Sequence, residues 1–223
     1  KDGIRLAKGI AVDKDGYVYV ADKPANLIRK FNIAGQAVMQ IGANQLAKPE
    51  DVFVTQNGDV YVANTGADNV KVFSKDGTYK KTIDGQLQGP VGIKVFEPTG
   101  EIYVSNTKKK EIVVYDNSGK FLRTITAPGL SQTGGLYIDA NKNLYVTNPN
   151  MDNTKVFICD SVKGNVIRTI DTYPNNPTYV VSPKPGVMFI SDSNHNRILR
   201  YNNDLNDMTF SFDGGFNRPA GIA

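Results

Sequence analysis

The residues able to carry chemistry are few, and their scarcity removes most reactions from consideration. In 223 residues there is one histidine, His195, and one cysteine, Cys159. Catalytic zinc generally takes three protein ligands, and a thiol nucleophile needs a base beside it. His195 stands in the Asn-rich run "SNHNR" and reads as a solvated loop residue, while Cys159 alternates with apolar neighbours in "VFICD" and reads as a buried, inert thiol. No Ser-His-Asp set can be assembled, and the phosphate-cradling pattern GxxxxGK[ST] is absent. The sharpest charge feature is Lys108-Lys109-Lys110, which suits phosphates or an acidic partner but is also what a solvated hairpin tip looks like.

The balance of the composition agrees. A net charge of +4 assists contact with acidic surfaces and falls short of the dense basic stripe of a nucleic-acid binder. The longest apolar runs, such as Val18-Tyr19-Val20-Ala21, are strand-sized, so no membrane span is expected. A single cysteine rules out an internal disulfide; the compartment stays open, with a secreted or cell-surface setting slightly favoured.

What must position any site is a repeat. The segments "GIAVDKDG" from Gly9, "DVFVTQNG" from Asp51, "GIKVFEPTG" from Gly92, "GLYIDANKN" from Gly135, "YVVSPKPG" from Tyr179 and "GIA" from Gly221 start 42, 41, 43, 44 and 42 residues apart. Each of the first five leads into a second apolar segment closed by Asp22, Asn64, Asn106, Asn148 or Asp192. Nine residues beyond that residue stands Phe31, Phe73, Tyr115, Phe157 or Tyr201. A period near 42 accommodates about four strands of 5–6 residues with their turns, which is the arithmetic of a propeller blade. Turn residues fall where hairpins need them, as in "DKDG", "TQNG" and "SKDGT", and no stretch holds a helical period.

The expected fold is therefore all-β, a propeller of four-stranded antiparallel blades in one domain over 1–223. Blades are expected near 9–50, 51–91, 92–134, 135–178 and 179–220, with 1–8 and 221–223 belonging to neighbouring blade positions. The second segments are apolar at consecutive positions, so both their faces must be covered. The aromatics Tyr19, Tyr61, Tyr103, Tyr145 and Phe189 are expected to form one layer between blades, and the later five a second. The five Asp/Asn residues are expected to bond their own backbone at the strand ends. "GFNRPAGIA", Gly215 to Ala223, repeats the phase of Gly3 to Gly9; in a closed ring of five these would compete for one place, so a ring of six or more is expected.

The stretch "ISDSNHNRILRY", Ile190 to Tyr201, resembles the signature of NHL-repeat propellers, and "VADKPANLIRKF" and "VANTGADNVKVF" are looser versions of it. The third and fourth units depart most, with "NTKKKEIVVY" and "NPNMDNTKVF". The resemblance covers the whole chain and implies a propeller used as a protein-binding scaffold, a ligand-sensing ectodomain, an RNA-binding module or a metal-dependent lyase; related propellers include calcium-dependent lactonases. A zinc lyase of that kind would need several histidines. A calcium site would need oxygen ligands ahead of the innermost strands, where only Glu50 and Asp51 bring carboxylates and Lys8 brings the opposite charge.

The expected binding surface is the face carrying the inter-blade loops and the loops between second and third strands. Its candidate residues are Lys108, Lys109, Lys110, Tyr173, His195, Arg197, Phe216 and Arg218. The leading expectation is a non-enzymatic scaffold for a protein or peptide. No cofactor is expected, with calcium held open. The alternatives are a lactonase- or lyase-type enzyme with ligands outside this sequence, and single-stranded RNA binding, for which exposed aromatics, arginines and a steep salt dependence would be needed.

Overall fold

The computed structural model describes residues 3–4, 6–150, 154–171, 176–184, 186–202 and 208–223. It is a β-propeller of five four-stranded antiparallel blades arranged in a ring. Blade one contains β1 (Ala7–Val12), β2 (Val18–Asp22), β3 (Leu27–Phe31) and β4 (Ala37–Ile41). Blade two contains β5 (Pro49–Val54), β6 (Val60–Asn64), β7 (Asn69–Phe73) and β8 (Tyr79–Ile83). Blade three contains β9 (Pro90–Phe96), β10 (Glu101–Asn106), β11 (Glu111–Tyr115) and β12 (Phe121–Ile125). Blade four contains β13 (Leu136–Ile138), β14 (Asn143–Asn148), β15 (Lys155–Asp160) and β16 (Val166–Asp171), and blade five contains β17 (Pro177–Lys184), β18 (Val187–Asp192), β19 (Arg197–Tyr201) and β20 (Met208–Phe212).

Each blade is a meander in which every strand pairs with its sequence neighbour. β1, β5, β9, β13 and β17 are innermost. They run from the loop face, which carries the inter-blade loops, to a hairpin face, where the first turn of each blade lies. Side-chain oxygens close those turns: Asp13 accepts from the Asp15 and Tyr17 N–H groups at 3.0 and 2.9 Å, and Asp139 does the same for Asn143 at 2.8 Å. Short Asx and Ser/Thr side chains thus satisfy backbone donors that no strand can reach.

The second strands are buried along nearly their whole length, as in β6 and β10, because sheets cover them on both sides. Four buried clusters fill the four junctions between consecutive blades. Tyr19, Tyr61, Tyr103 and Tyr145 lie in one aromatic layer, and Phe73, Tyr115, Phe157 and Tyr201 in the other, all buried. Phe31 and Phe189 are only half-buried. Both face the fifth junction, between blade five and blade one. Burial therefore tracks what packs opposite, not residue type.

That fifth junction is bridged at its inner rim by residues 219–223, which lie beside blade one instead of competing for its place. Ser191 Oγ donates to the Ala220 carbonyl at 2.7 Å, and a Cβ on Gly221 would sit 2.6 Å from the Lys8 carbonyl oxygen. Among the described residues the four-stranded blades number five; the larger ring expected above goes beyond them.

Candidate functional site at the loop face

The inter-blade loops of this face are held by hydrogen bonds to the blades on either side of them. Asn64 Oδ1 accepts the Ala47 N–H at 2.6 Å, Asn106 Oδ1 the Gln88 N–H at 2.5 Å and Asn148 Oδ1 the Gln132 N–H at 2.8 Å. Each donor lies in the loop that leads into the acceptor's own blade. The expectation that these Asx residues close their own hairpins is thereby corrected: the nearest local donors are already committed to strand pairing, and the loop N–H groups are the ones left over. A second set reaches from the preceding blade. Asn26 Oδ1 accepts from Lys48 N at 2.7 Å, Asp68 Oδ1 from Gly89 N at 2.6 Å and Asn196 Oδ1 from Arg218 N at 2.7 Å.

Asn26, Asp68 and Asn196 adopt left-handed φ values of 55°, 52° and 54°. Asn and Asp tolerate that conformation better than other non-glycine residues. In blade three the same position holds Lys110, with φ 58°. It closes the single 3-10 turn Thr107–Lys109, and all three lysines are exposed. Lys109 Nζ donates to the Gln86 carbonyl at 3.0 Å, so one of the three ammoniums also braces its loop.

At the mouth of the central axis on this face, Glu50 takes an ion pair from Lys23 and another, at 3.8 Å, from Lys8. The Lys8 charge, unsuited to a cation site, is thus the partner of the carboxylate that would have served one. Asp51 is turned inward and fully buried, accepting from Val52 N at 2.9 Å and Ile93 N at 3.0 Å. Burial pushes its carboxyl up to about 6, against the opposing pull of the Lys94 ammonium, the two backbone N–H groups and the Tyr179 hydroxyl. Tyr179 crosses from blade five to donate to the Glu50 carbonyl at 2.9 Å.

Aligned on the repeat, Gly9, Asp51, Gly92, Gly135, Tyr179 and Gly221 occupy one level of the axis. A Cβ on Gly9 would lie 2.1 Å from Asp51 Oδ1, one on Gly92 2.6 Å from the Gly134 oxygen and one on Gly135 2.6 Å from the Thr178 oxygen. At these three glycines the neighbouring innermost strand leaves room for nothing larger than hydrogen. At this waist Asp51 and Tyr179 bring the side chains that the glycines lack.

Above the waist is a cavity of 170 Å³ lined by Lys8, Glu50, Thr107, Thr133, Asn176 and Tyr179 together with Val91, Gly134, Pro149 and Ala220. Beside it, a wider depression of 520 Å³ is lined by Gln132, Pro149, Asn150, Asn176, Asn194 and Arg218. Amide side chains offer both donors and acceptors, the complement of an extended peptide backbone.

Of the candidates from sequence, His195, Arg197 and Arg218 come together at the blade-five corner. His195 Nδ1 and Arg197 Nε lie 2.9 and 2.8 Å from the same Asp192 oxygen, and Arg218 is anchored to Asn196. Phe216 is exposed on the segment leading to that corner. Lys108, Lys109 and Lys110 stand apart, on blade three. Tyr173 lies outside the described residues. Cys159 is buried and its thiol is pushed up to about 11 by burial, as an inert core cysteine should be. Sequence reasoning missed Tyr179, Gln132, Asn150 and Asn176. The signal for Tyr179 was present: it breaks the glycine column of the repeat.

No protein-family model matches the chain, and no curated protein matches it by sequence. Solved structures do match over the whole chain. A nidogen/laminin complex aligns with 98% of this chain and 84% of the other at 19% identity and a TM-score of 0.84. Virginiamycin B lyase from Staphylococcus aureus aligns with 99% of this chain and 74% of its own at 19% identity and a TM-score of 0.73. Hydrazine synthase from Kuenenia stuttgartiensis aligns with 92% of this chain and 80% of its own at 15% identity and a TM-score of 0.69. At these identities the likeness is one of fold, and the fold is the β-propeller.

Proposed function

We propose that this propeller, of NHL type by its repeat signature, is a non-catalytic scaffold whose loop face binds a protein or peptide partner. The observation that carries the reading is the amide-lined depression of Gln132, Asn150, Asn176, Asn194 and Arg218, set among loops pinned by the two Asx rows. Such loops present their polar groups at fixed spacing, so little ordering entropy is lost on binding. Exposed Lys48, Lys108, Lys109, Lys110 and Arg218 add positive charge to the same face, which favours an acidic segment in the partner. A propeller solved with laminin among the similar structures supports the same reading.

The test is affinity capture from the source organism's own extract with three immobilised chains: the wild type, a loop-face variant carrying Gln132→Ala with Arg218→Glu, and a hairpin-face control carrying Lys14→Glu with Lys75→Glu. A partner retained by the wild type and the control but lost from the loop-face variant is the expected result. Equal retention by all three sinks the reading.

Similarity to virginiamycin B lyase favours a second reading, an enzyme of lyase type. Metal analysis of the purified chain separates the two, because a stoichiometric ion surviving dialysis would move the assignment to that reading.

A further inference from the structure

The opposite end of the axis holds a cavity of another character. It measures 390 Å³ and is lined by all five innermost strands together with Ile222 and Ala223. Two residues beyond the waist, the repeat brings Ala11, Phe53, Lys94, Tyr137, Val181 and Ala223 to one level, and every one of them lines this cavity. Five are apolar or aromatic and one is a cation. Pockets of roughly 300–1,000 Å³ with apolar walls and a few placed polar groups are the usual form of small-ligand sites.

The polar groups of the cavity differ in availability. Both oxygens of Asp139 are engaged: Oδ1 accepts from Asn143 N at 2.8 Å, and Oδ2 from Asn143 Nδ2 at 2.9 Å and the Tyr145 hydroxyl at 3.4 Å. Glu97 accepts the Gln56 N–H at 3.0 Å and is exposed at the rim. The Tyr137 hydroxyl is spent on the Ser182 carbonyl at 2.5 Å. Lys94 is half-buried, its Nζ 5.4 Å from the centroid of the Phe53 ring; its charge acts on the buried Asp51 carboxyl, yet among the described residues no carboxylate lies within ion-pair distance of it. A cation stacked on an aromatic ring keeps its outward N–H donors for an anion.

We propose that this hairpin-face cavity is a binding site for a free aliphatic carboxylate of medium chain length, with the headgroup on Lys94 and the chain against Phe53, Tyr137, Val181 and Ile222. The apolar walls select the chain, and the ammonium selects the sign of the headgroup. Its lining shares no residue with the cavity at the loop face, so it is distinct from that face and independent of the function proposed for it.

The experiment is titration calorimetry of the purified chain with octanoate, octanol and octylamine in parallel. Octanoate is expected to bind saturably at one site per chain, with octanol and octylamine each weaker by about ten-fold or more, the scale of one charge-assisted contact. Lys94→Met should bring octanoate down to the octanol level. Val12→Asp, at a rim residue that is 49% exposed and so tolerant of change, should also weaken octanoate, while Lys120→Met, at an exposed turn, should not. Absence of saturable octanoate binding overturns the proposal, as does octylamine binding as tightly as octanoate. Octanoate affinity unchanged in folded Lys94→Met, or in Val12→Asp should the first variant fail to fold, overturns it equally.

Discussion

The two ends of the central axis are built from the same innermost strands, yet the polar side chains at one are amides, threonines and the Lys8–Glu50 ion pair, and those at the other are Lys94, Glu97 and Asp139 set among aromatic and branched apolar walls. Where the chain enters a strand it is still loop, and its backbone groups need partners; there the repeat supplies Asx, Ser and Thr. Deeper in, the strands pair with one another and their side chains answer only to space and neighbours. A single repeat can thus carry two surfaces of different chemistry on one rigid frame.

Between the two ends stand Asp51 and Tyr179, and replacing Tyr179 with Ala should have the largest effect. Loss of a buried aromatic that spans two blades is expected to destabilise by about 3–5 kcal/mol, read by urea unfolding, and to join the two cavities. A variant as stable as the wild type would show that Tyr179 separates nothing.

Acid titration sharpens the same point through Asp51. Its folded carboxyl sits at about 6, above the ordinary value of 3.8, so the folded state holds the proton more tightly than the unfolded one. The stability linked to this group is fully present below pH 3.8 and is lost as pH rises through about 6. Relative to Asp51→Asn, the wild type should therefore lose roughly 3 kcal/mol between pH 3 and pH 8, measured as unfolding free energy across that range. Parallel curves for the two proteins would contradict this assignment.

The smallest effect concerns the loop face. Lys110 occupies a left-handed position that three other blades fill with Asn or Asp. Lys110→Asn should raise stability by about 0.5–1 kcal/mol, seen as a higher melting temperature. A decrease would mean that the lysine contributes to the folded state in a way its backbone does not reveal.

Most of the frame was legible in the residues. The period near 42, the Asx-to-aromatic spacing and the doubly apolar second strands each reflect local needs that recur in every blade. Legibility failed where partners come from elsewhere in the ring. Nothing near Asn64 in sequence announces that its acceptor serves Ala47, and Phe189 looks like Tyr103 until the fifth junction leaves it half-buried. The candidate site was legible as a face but not as a set. His195, Arg197 and Arg218 do converge, the lysine triplet stands apart, and the amides around the depression are too common in loops to be singled out by type.

With Tyr179 reaching from blade five to the Glu50 carbonyl of blade two, the loop-face and hairpin-face cavities are two wells with no lining residue in common. Occupants of the two wells cannot displace one another, and their binding free energies should simply add. Any departure from additivity would have to be transmitted through Tyr179 and Asp51, which makes those two side chains the place to look for linkage between the faces.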